Sequence, residues 1–251
     1  MRTAALIGVL VLAALGLPGS AHADLLVRQM LTSKTLVVTP GQSVPDRADT
    51  VEIWLGESSA RVIREDAEYI FRFDEPNLYI LDHDDQSYAV LFLPVDLPSY
   101  LSPGDPTSLR LSDMMKERRA RAVVAKTEEQ KRIGPWNAQL YRYHIVSSLI
   151  TIRSETWTTR DVGTEVQGFF PRIQRALLSL NPGMRHAAVE LTKVKGIPIH
   201  EIQTITTRGV VTAIERKTLE IRNADPPNGF YTPPSDYEEK PFDLAARVLR
   251  H

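Results

Sequence analysis

Short segments in which apolar and polar residues alternate fill most of this chain, and they constrain its fold more than any other feature. Val51, Ile53 and Leu55, for example, alternate with Glu52 and Trp54. Successive side chains on a strand point to opposite faces, so this pattern predicts half-buried strands joined by short turns. Segments of the same kind recur at residues 25–38, 61–64, 69–73, 120–126, 139–147, 149–159, 197–207 and 210–221.

Two further segments, residues 78–81 and 88–93, are apolar on both faces. They flank the polar residues 82–86 (DHDDQ), which are typical of a hairpin turn. A strand that is apolar on both faces needs cover on both sides. The sequence leaves open whether that cover is a second layer of the protein or a bound partner.

Two regions change from period two to the helical period of 3.6. Residues 107–116 place Leu111, Met114 and Met115 at helical spacing, which predicts a short helix. Apolar residues between positions 166 and 180 follow the same spacing, and residues 181–183 (NPG) predict the end of that helix. We expect another short helix to follow, from residue 184 to residue 191.

The order of these elements predicts the fold class. About six strands, a helix, three strands, a helical pair and two strands show no regular βαβ alternation, which argues against a doubly wound parallel sheet. We predict an α+β fold, a curved antiparallel sheet (half-barrel) with two or three helices covering its concave face. We assign residues 24–251 to one domain, with an irregular tail from about residue 225, where the segment 225–229 (DPPNG) begins.

The first 23 residues predict export from the cytoplasm. Arg2 supplies a positive charge, an almost unbroken apolar run follows from Ala4 to Leu17, and small residues lie before Asp24. This combination is typical of a secretory signal peptide cleaved before Asp24. A membrane anchor is the alternative, but the apolar run is shorter than the roughly 20 residues that span a bilayer. We therefore predict a periplasmic or secreted protein.

Composition excludes several classes of partner. The formal charge is −1, and it becomes −2 without residues 1–23, which contain one Arg and no acidic residue. A nearly neutral chain has no general attraction to nucleic acid or to anionic lipid. The chain has no Cys, so it forms no disulfide and offers no cysteine for lipid attachment. We expect a soluble mature protein with no nucleic-acid partner and no stable membrane insertion.

Three stretches carry a resemblance to a known family. They are residues 51–55 (VEIWL) continuing through 79–82 (YILD) and 86–88 (QSY), residues 134–143 (GPWNAQLYRY) with 154–157 (SETW), and residues 229–237 (GFYTPPSDY). In this order they resemble the bacterial periplasmic lipoprotein-carrier superfamily, the group of outer-membrane lipoprotein localisation factors, and within it a separate branch. The resemblance implies a half-barrel with a hydrophobic cavity for acyl chains or a lipid-modified partner. The chain differs from the carriers in lacking an obvious helix before the first strand.

Residue patterns that would support catalysis or metal binding are weak. The acidic residues at 82–85 lack the Gly and the distal Glu of a calcium loop, so a solvated turn is favoured. The histidines show no zinc-ligand spacing. Ser147 and Ser148 lie near His144, but no acid completes a triad and no nucleophile-elbow motif is present. We predict that the protein is not an enzyme and uses no metal or cofactor.

Aromatic residues are the candidate ligand-binding groups. On strands they lie at period-two positions, where ordinary core packing explains them, but a ligand cavity needs the same residue types. Both interpretations stay open at this point. The candidates are Trp54, Phe71, Phe73, Tyr79, Tyr141, Tyr143, Phe169 and Phe170.

Together these observations predict a non-enzymatic extracytoplasmic protein. Its expected partner is a hydrophobic small molecule, an acyl chain or a lipidated protein bound in the half-barrel groove. The alternative is an envelope sensing or protein-interaction module of the same fold, in which the concave face binds a protein segment. The sequence does not indicate the oligomeric state.

Overall fold

The computed structural model describes residues 24–37, 46–65, 67–101, 106–117, 119–162, 168–181 and 183–243. The predicted signal peptide, residues 1–23, lies outside these ranges. Within them the chain forms one large sheet of 12 strands with three α-helices, which confirms the α+β prediction.

The strands follow the alternating segments closely. They are β1 (Asp24–Val37), β2 (Arg47–Leu55), β3 (Ser59–Ile63), β4 (Glu68–Arg72), β5 (Asn77–Asp82), β6 (Ser87–Phe92), β7 (Arg121–Ile133), β8 (Trp136–Val146), β9 (Ile150–Thr159), β10 (Ile197–Thr207), β11 (Val210–Ala224) and β12 (Glu238–Glu239).

The helices also match their predicted positions. They are α1 (Pro106–Glu117), α2 (Phe169–Ser179) and α3 (Arg185–Leu191), and a 3₁₀ turn covers Leu97–Tyr100. Of the helices within the described ranges, none combines the length and the apolar character that crossing a membrane requires.

The sheet is open, with strand order β12-β6-β5-β4-β3-β2-β1-β11-β10-β9-β8-β7. The long strand β1 lies near its middle and pairs with β2 on one side and with β11 on the other. All neighbouring strands are antiparallel except β12, which pairs in parallel with β6. The β1–β11 pair therefore joins the first six strands of the chain to the later ones.

Helices cover one face of this sheet, which we call the concave face. Alternate residues of β1–β6 form a first core with Leu111 of α1 and with Phe170 and Ile173 of α2. Alternate residues of β8 and β9 form a second core with Ala187 and Leu191 of α3. The predicted cover of helices on the concave face is thus confirmed for both halves of the sheet.

The segment 225–243 covers part of the opposite, convex face. The Phe230 ring lies 5.0 Å from the Trp54 ring, and the Phe230 carbonyl accepts a 2.5 Å hydrogen bond from Arg61 Nη1. Farther along, the Tyr237 hydroxyl is 2.7 Å from His83 Nδ1. Ile70, whose side chain shares this face with Arg61 in the β3–β4 register, is fully buried. A second layer formed by the chain itself therefore supplies cover on the convex face.

The segment 225–243, where an irregular tail is predicted, also extends the sheet by a short strand. Glu238 and Glu239 pair with Ser87 and Tyr88, and the Lys240 amide donates to the Tyr88 carbonyl over 2.8 Å. A two-residue strand is too short to show any period in the sequence. Its formation depends on the unpaired edge of β6, which offers backbone groups that need partners.

The backbone at Gly196, between α3 and β10, passes close to the end of β9, and a substitution there tests this close approach. Its φ is +93°, and a Cβ atom built there would lie 2.3 Å from the Thr159 carbonyl oxygen. We expect Gly196→Ala to lower the free energy of unfolding by at least about 2 kcal/mol, because both the torsion angle and the close approach exclude a side chain. Gly168→Ala is the matched control, since a Cβ there meets nothing within 4 Å. Urea unfolding followed by tryptophan fluorescence measures both, and equal stability of the two variants would contradict this.

Candidate functional site

A groove of about 960 Å³ lies between the concave face of the sheet and helix α2. Its lining comes from both halves of the sheet and from residues 170–181. The β5–β6 turn also contributes to the lining, as do residues 240–243 at the end of the segment 225–243. The groove therefore lies where the two cores meet.

One wall of the groove is apolar and belongs to the first half of the sheet. Ile53, Val62, Tyr69 and Ile80 occupy directly opposed positions on β2, β3, β4 and β5, so their side chains form one row across the strands. All four line the groove. Leu177 of α2 lines it as well, opposite the sheet. This row of side chains offers contact to an apolar chain and carries no charge of its own.

The other wall is polar and belongs to β1 and the later strands. Gln29, Tyr143, Gln203 and Arg216 line the groove on this side. Gln29 Nε2 donates both to the Pro198 carbonyl and to Thr218 Oγ1, at 2.9 and 3.0 Å. The groove is thus amphipathic, with its two walls differing in chemistry.

The polar wall is built on the buried carboxylate of Glu201, whose residue is only 2% exposed. Its Oε1 accepts hydrogen bonds from the Tyr143 hydroxyl at 2.6 Å, from Thr156 Oγ1 at 2.7 Å and from Ser154 Oγ at 3.0 Å. Its Oε2 lies 3.2 Å from Arg216 Nη1. A buried carboxylate is stable only when it is paired and hydrogen-bonded in this way.

The protonation states of this network follow from its geometry. Burial acts to raise the pKa of Glu201, but the Arg216 charge and the hydrogen bonds outweigh it and leave the pKa lowered. Burial raises the pKa of the Tyr143 hydroxyl well above its ordinary value, and the Glu201 charge adds to this. At neutral pH Glu201 is therefore ionised and Tyr143 is a protonated donor.

The lowered pKa of Glu201 predicts a pH-dependent contribution to stability. Since the folded pKa lies below the unfolded value of about 4.3, the contribution is present above that pH and is lost as pH falls through the folded pKa. We expect wild type to be more stable than Glu201→Gln at pH 7, with the difference shrinking below pH 4. Urea unfolding of both proteins at pH 7 and pH 3 measures it. The same difference in stability at pH 7 and at pH 3 would contradict a lowered pKa of Glu201.

Of the eight aromatic residues predicted as ligand-binding groups, Tyr143 and Phe170 line the groove. Tyr143 belongs to the polar wall, and Phe170 lies at the start of α2. The structure brings these two to the same site from segments that are distant in the sequence.

Four of the others pack inside the protein or along α2. Phe71 is fully buried in the first core and Tyr141 is buried in the second. Phe73 and Phe169 stack in parallel with their ring centroids 5.0 Å apart, and the Arg172 guanidinium lies 4.0 Å from the Phe73 ring centroid. These contacts anchor α2 to the sheet next to the groove.

Trp54 and Tyr79 lie on the convex face. Trp54 packs against Phe230, and its indole Nε1 is buried with no hydrogen-bond partner among the described residues. Tyr79 lies 6.0 Å from Tyr88, measured between ring centroids. Neither residue is part of the groove lining, so the period-two pattern identified faces of strands without identifying which face borders the groove.

The polar wall was not found from the sequence, although a signal was present. Along β10, Ile199, Glu201, Gln203 and Ile205 occupy alternate positions and therefore share one face. Two polar residues on the strand face that is otherwise apolar indicate either that this face is solvated or that it contains a buried polar site. The pairing of Glu201 with Arg216 of β11 decides between these, and only the register supplies it.

The predicted hairpin turn at residues 82–86 is confirmed. Residues 83–86 form the turn between β5 and β6, and Asp82 Oδ1 accepts a 3.1 Å hydrogen bond from the Asp85 amide. Ser147 also serves a turn, its hydroxyl oxygen accepting from the amides of Leu149 and Ile150. Among the described residues, no three His, Asp or Glu side chains are arranged to hold a metal ion.

No protein-family model and no curated protein matches the chain. Among solved structures it is similar to PNGF-II, with 9% identity and a TM-score of 0.40, over 87% of this chain and 31% of that one. The chain thus spans about a third of the length of PNGF-II. It is also similar to an outer membrane lipoprotein-sorting protein domain from Vibrio parahaemolyticus, with 7% identity and a TM-score of 0.28, over 92% and 93% of the two chains. With TM-scores below 0.5, neither likeness assigns a family or a function to this chain.

Proposed function

We propose that this chain is a non-enzymatic extracytoplasmic protein that binds a hydrophobic ligand, an acyl chain or a lipidated partner in its groove. The groove of about 960 Å³ with one apolar wall is the observation that carries this proposal. Binding sites for small organic molecules typically measure about 300–1,000 Å³ and are lined mainly by apolar side chains.

The apolar wall gives the binding its driving force. Each CH₂ group of an acyl chain that moves from water into such a site contributes about 0.8 kcal/mol. Ile53, Val62, Ile80 and Leu177 lie on two sides of the groove, so a chain between them would contact both the sheet and α2. The opposite polar wall would leave room for a polar group at one end of the ligand.

The extracytoplasmic location is part of the proposal and depends on residues 1–23. Asp24, the first residue after the proposed cleavage site, is also the first residue of β1, and its carboxylate accepts a hydrogen bond from the Tyr231 hydroxyl. Cleavage before Asp24 would therefore keep this contact. The mass of the intact protein isolated from the cell envelope tests this, because retention of residues 1–23 would contradict it.

Affinity for straight-chain alcohols should depend on chain length. We expect the affinity to rise about fourfold per CH₂ group, from the transfer free energy of that group, and to reach a plateau when the groove is full. Displacement of the neutral fluorescent probe N-phenyl-1-naphthylamine by alcohols of 8 to 14 carbons measures it.

Narrowing the groove should shift that plateau. Leu177→Trp places a larger side chain at the groove, so we expect the plateau at a shorter alcohol. Leu219→Trp is the matched control, since Leu219 is exposed on β11 and lies outside the groove lining. Probe binding without dependence on chain length in the wild type would contradict the proposed function and leave the protein-interaction module as the explanation of the fold.

A further inference from the structure

Arg216 is the cation of the polar wall, and the structure places it between protein and groove. It lies on β11, with Leu31 opposite it on β1 and Glu201 opposite it on β10. Its Nη1 is 3.2 Å from Glu201 Oε2, and a quarter of its side chain is accessible. The guanidinium is therefore fixed at one nitrogen and exposed toward the groove.

Most of the hydrogen-bond donors of Arg216 have no acceptor among the described residues. A guanidinium carries five N–H donors in a planar fork and accepts nothing. The Nε–H of Arg216 is buried and has no acceptor among the described residues. Its neighbours on the polar wall are engaged internally, because Tyr143 donates to Glu201, Gln203 donates to Tyr143, and Gln29 donates to Pro198 and Thr218. Arg216 is thus the charged group on this wall with the most donors to offer to a ligand.

The charges around the groove favour an uncharged acceptor over an anion. Arg216 is already compensated by the Glu201 carboxylate. Among the charged residues of the described ranges that line the groove, carboxylates outnumber cations by five to three, namely Glu65, Asp82, Asp84, Asp85 and Asp243 against Arg64, Arg216 and Lys240. An anionic head group would enter a net negative field, whereas a neutral carbonyl oxygen would accept from Arg216 without that repulsion.

We propose that Arg216 is a ligand-binding residue that donates to the carbonyl oxygen of a neutral acyl ester or amide. The apolar part of the same molecule lies along the wall formed by Ile53, Val62 and Ile80. This inference rests on the proposed function and adds to it the chemical class of the ligand. The groove then selects neutral esters and amides over ethers of equal length and over fatty acid anions.

Three probes of matched chain length test the selection in the purified wild-type protein. They are methyl dodecanoate, methyl dodecyl ether, which lacks the carbonyl group, and the dodecanoate anion at pH 8. We expect methyl dodecanoate to displace N-phenyl-1-naphthylamine at about tenfold lower concentration than the ether, because it gains a hydrogen bond to a charged group. We expect the dodecanoate anion to bind more weakly than methyl dodecanoate.

Variants assign the selection to Arg216. In Glu201→Gln, Arg216 keeps its donors and loses its counter-charge, so we expect the ester preference to persist and the affinity for the anion to rise. In the double variant Glu201→Gln/Arg216→Met, which leaves no unpaired charge, we expect ester and ether to bind equally. Arg153→Met, an exposed arginine on β9, is the control and should retain the preference.

The outcomes separate this proposal from the one on which it rests. If ester and ether bind the wild type equally but both gain affinity with chain length, the groove binds apolar chains and the assignment of Arg216 is overturned. Tighter binding of the anion than of the ester overturns the selection for neutral ligands. If no probe displaces the fluorophore, the proposed function fails and this inference fails with it.

Discussion

Replacing Glu201 by leucine should lower the free energy of unfolding by about 3–5 kcal/mol, the cost typical of removing one partner from a buried ion pair. The variant leaves the Arg216 guanidinium without its counter-charge and removes the acceptor shared by Tyr143, Thr156 and Ser154. Urea unfolding at pH 7, followed by circular dichroism, measures the loss.

A double-mutant cycle separates the ion pair from the other contacts. We expect Glu201→Leu/Arg216→Leu to recover part of the loss, since removing both charges leaves none buried and unpaired. Glu155→Leu is the matched control, because Glu155 forms a 2.8 Å contact with Arg142 in which both side chains are about half exposed. Exposed pairs contribute little to stability. If the losses of unfolding free energy in the two single variants add up to the loss in the double variant, Glu201 and Arg216 are not coupled and the prediction is contradicted.

The second large effect concerns Phe71, a candidate ligand residue that the structure places in the first core. We expect Phe71→Ala to lower the free energy of unfolding by about 3–5 kcal/mol, because the residue is fully buried and its removal leaves a cavity. Its ring stacks against Phe73, with centroids 6.0 Å apart, so the loss also weakens the contact between the sheet and α2.

Phe92→Ala is the matched control for Phe71→Ala. Phe92 is 69% exposed at the end of β6, so its truncation should change the free energy of unfolding by less than about 0.5 kcal/mol. Thermal and urea unfolding of both variants measure the contrast. Similar losses of unfolding free energy in the two variants would show that burial does not determine how much a phenylalanine contributes to stability here.

Local pattern was sufficient to predict the strands and helices. Val51, Ile53 and Leu55, which alternate along the sequence, lie on the concave face of β2 and are buried. Glu52 and Trp54, on the other face, are partly exposed. The helical spacing likewise identified Phe170 and Ile173, two of the residues that α2 buries. These predictions held because burial of one face is a property of the segment itself.

The segment that packs on the convex face could not be predicted from local sequence patterns. The doubly apolar segments 78–81 and 88–93 indicated that a second cover was needed. The segment 225–243 instead packs on Trp54 of β2 and adds a strand beside Ser87 and Tyr88, and Phe92 stays 69% exposed. No local signal links residue 230 to residue 54. Their contact depends on how the chain returns after β11, which is a consequence of the strand order.

The sequence alone therefore determined the elements, the α+β class and the faces along which each strand is apolar, since these follow from the spacing of side chains along one segment. Only the tertiary structure decided which aromatic residues border the groove, and that Arg216, paired with the buried Glu201, lies on its polar wall. Those facts depend on the pairing of β1 with β11 and of β11 with β10, which brings Leu31, Arg216 and Glu201 into one row. Register between strands is set by the packing of the whole sheet, so no single segment encodes it.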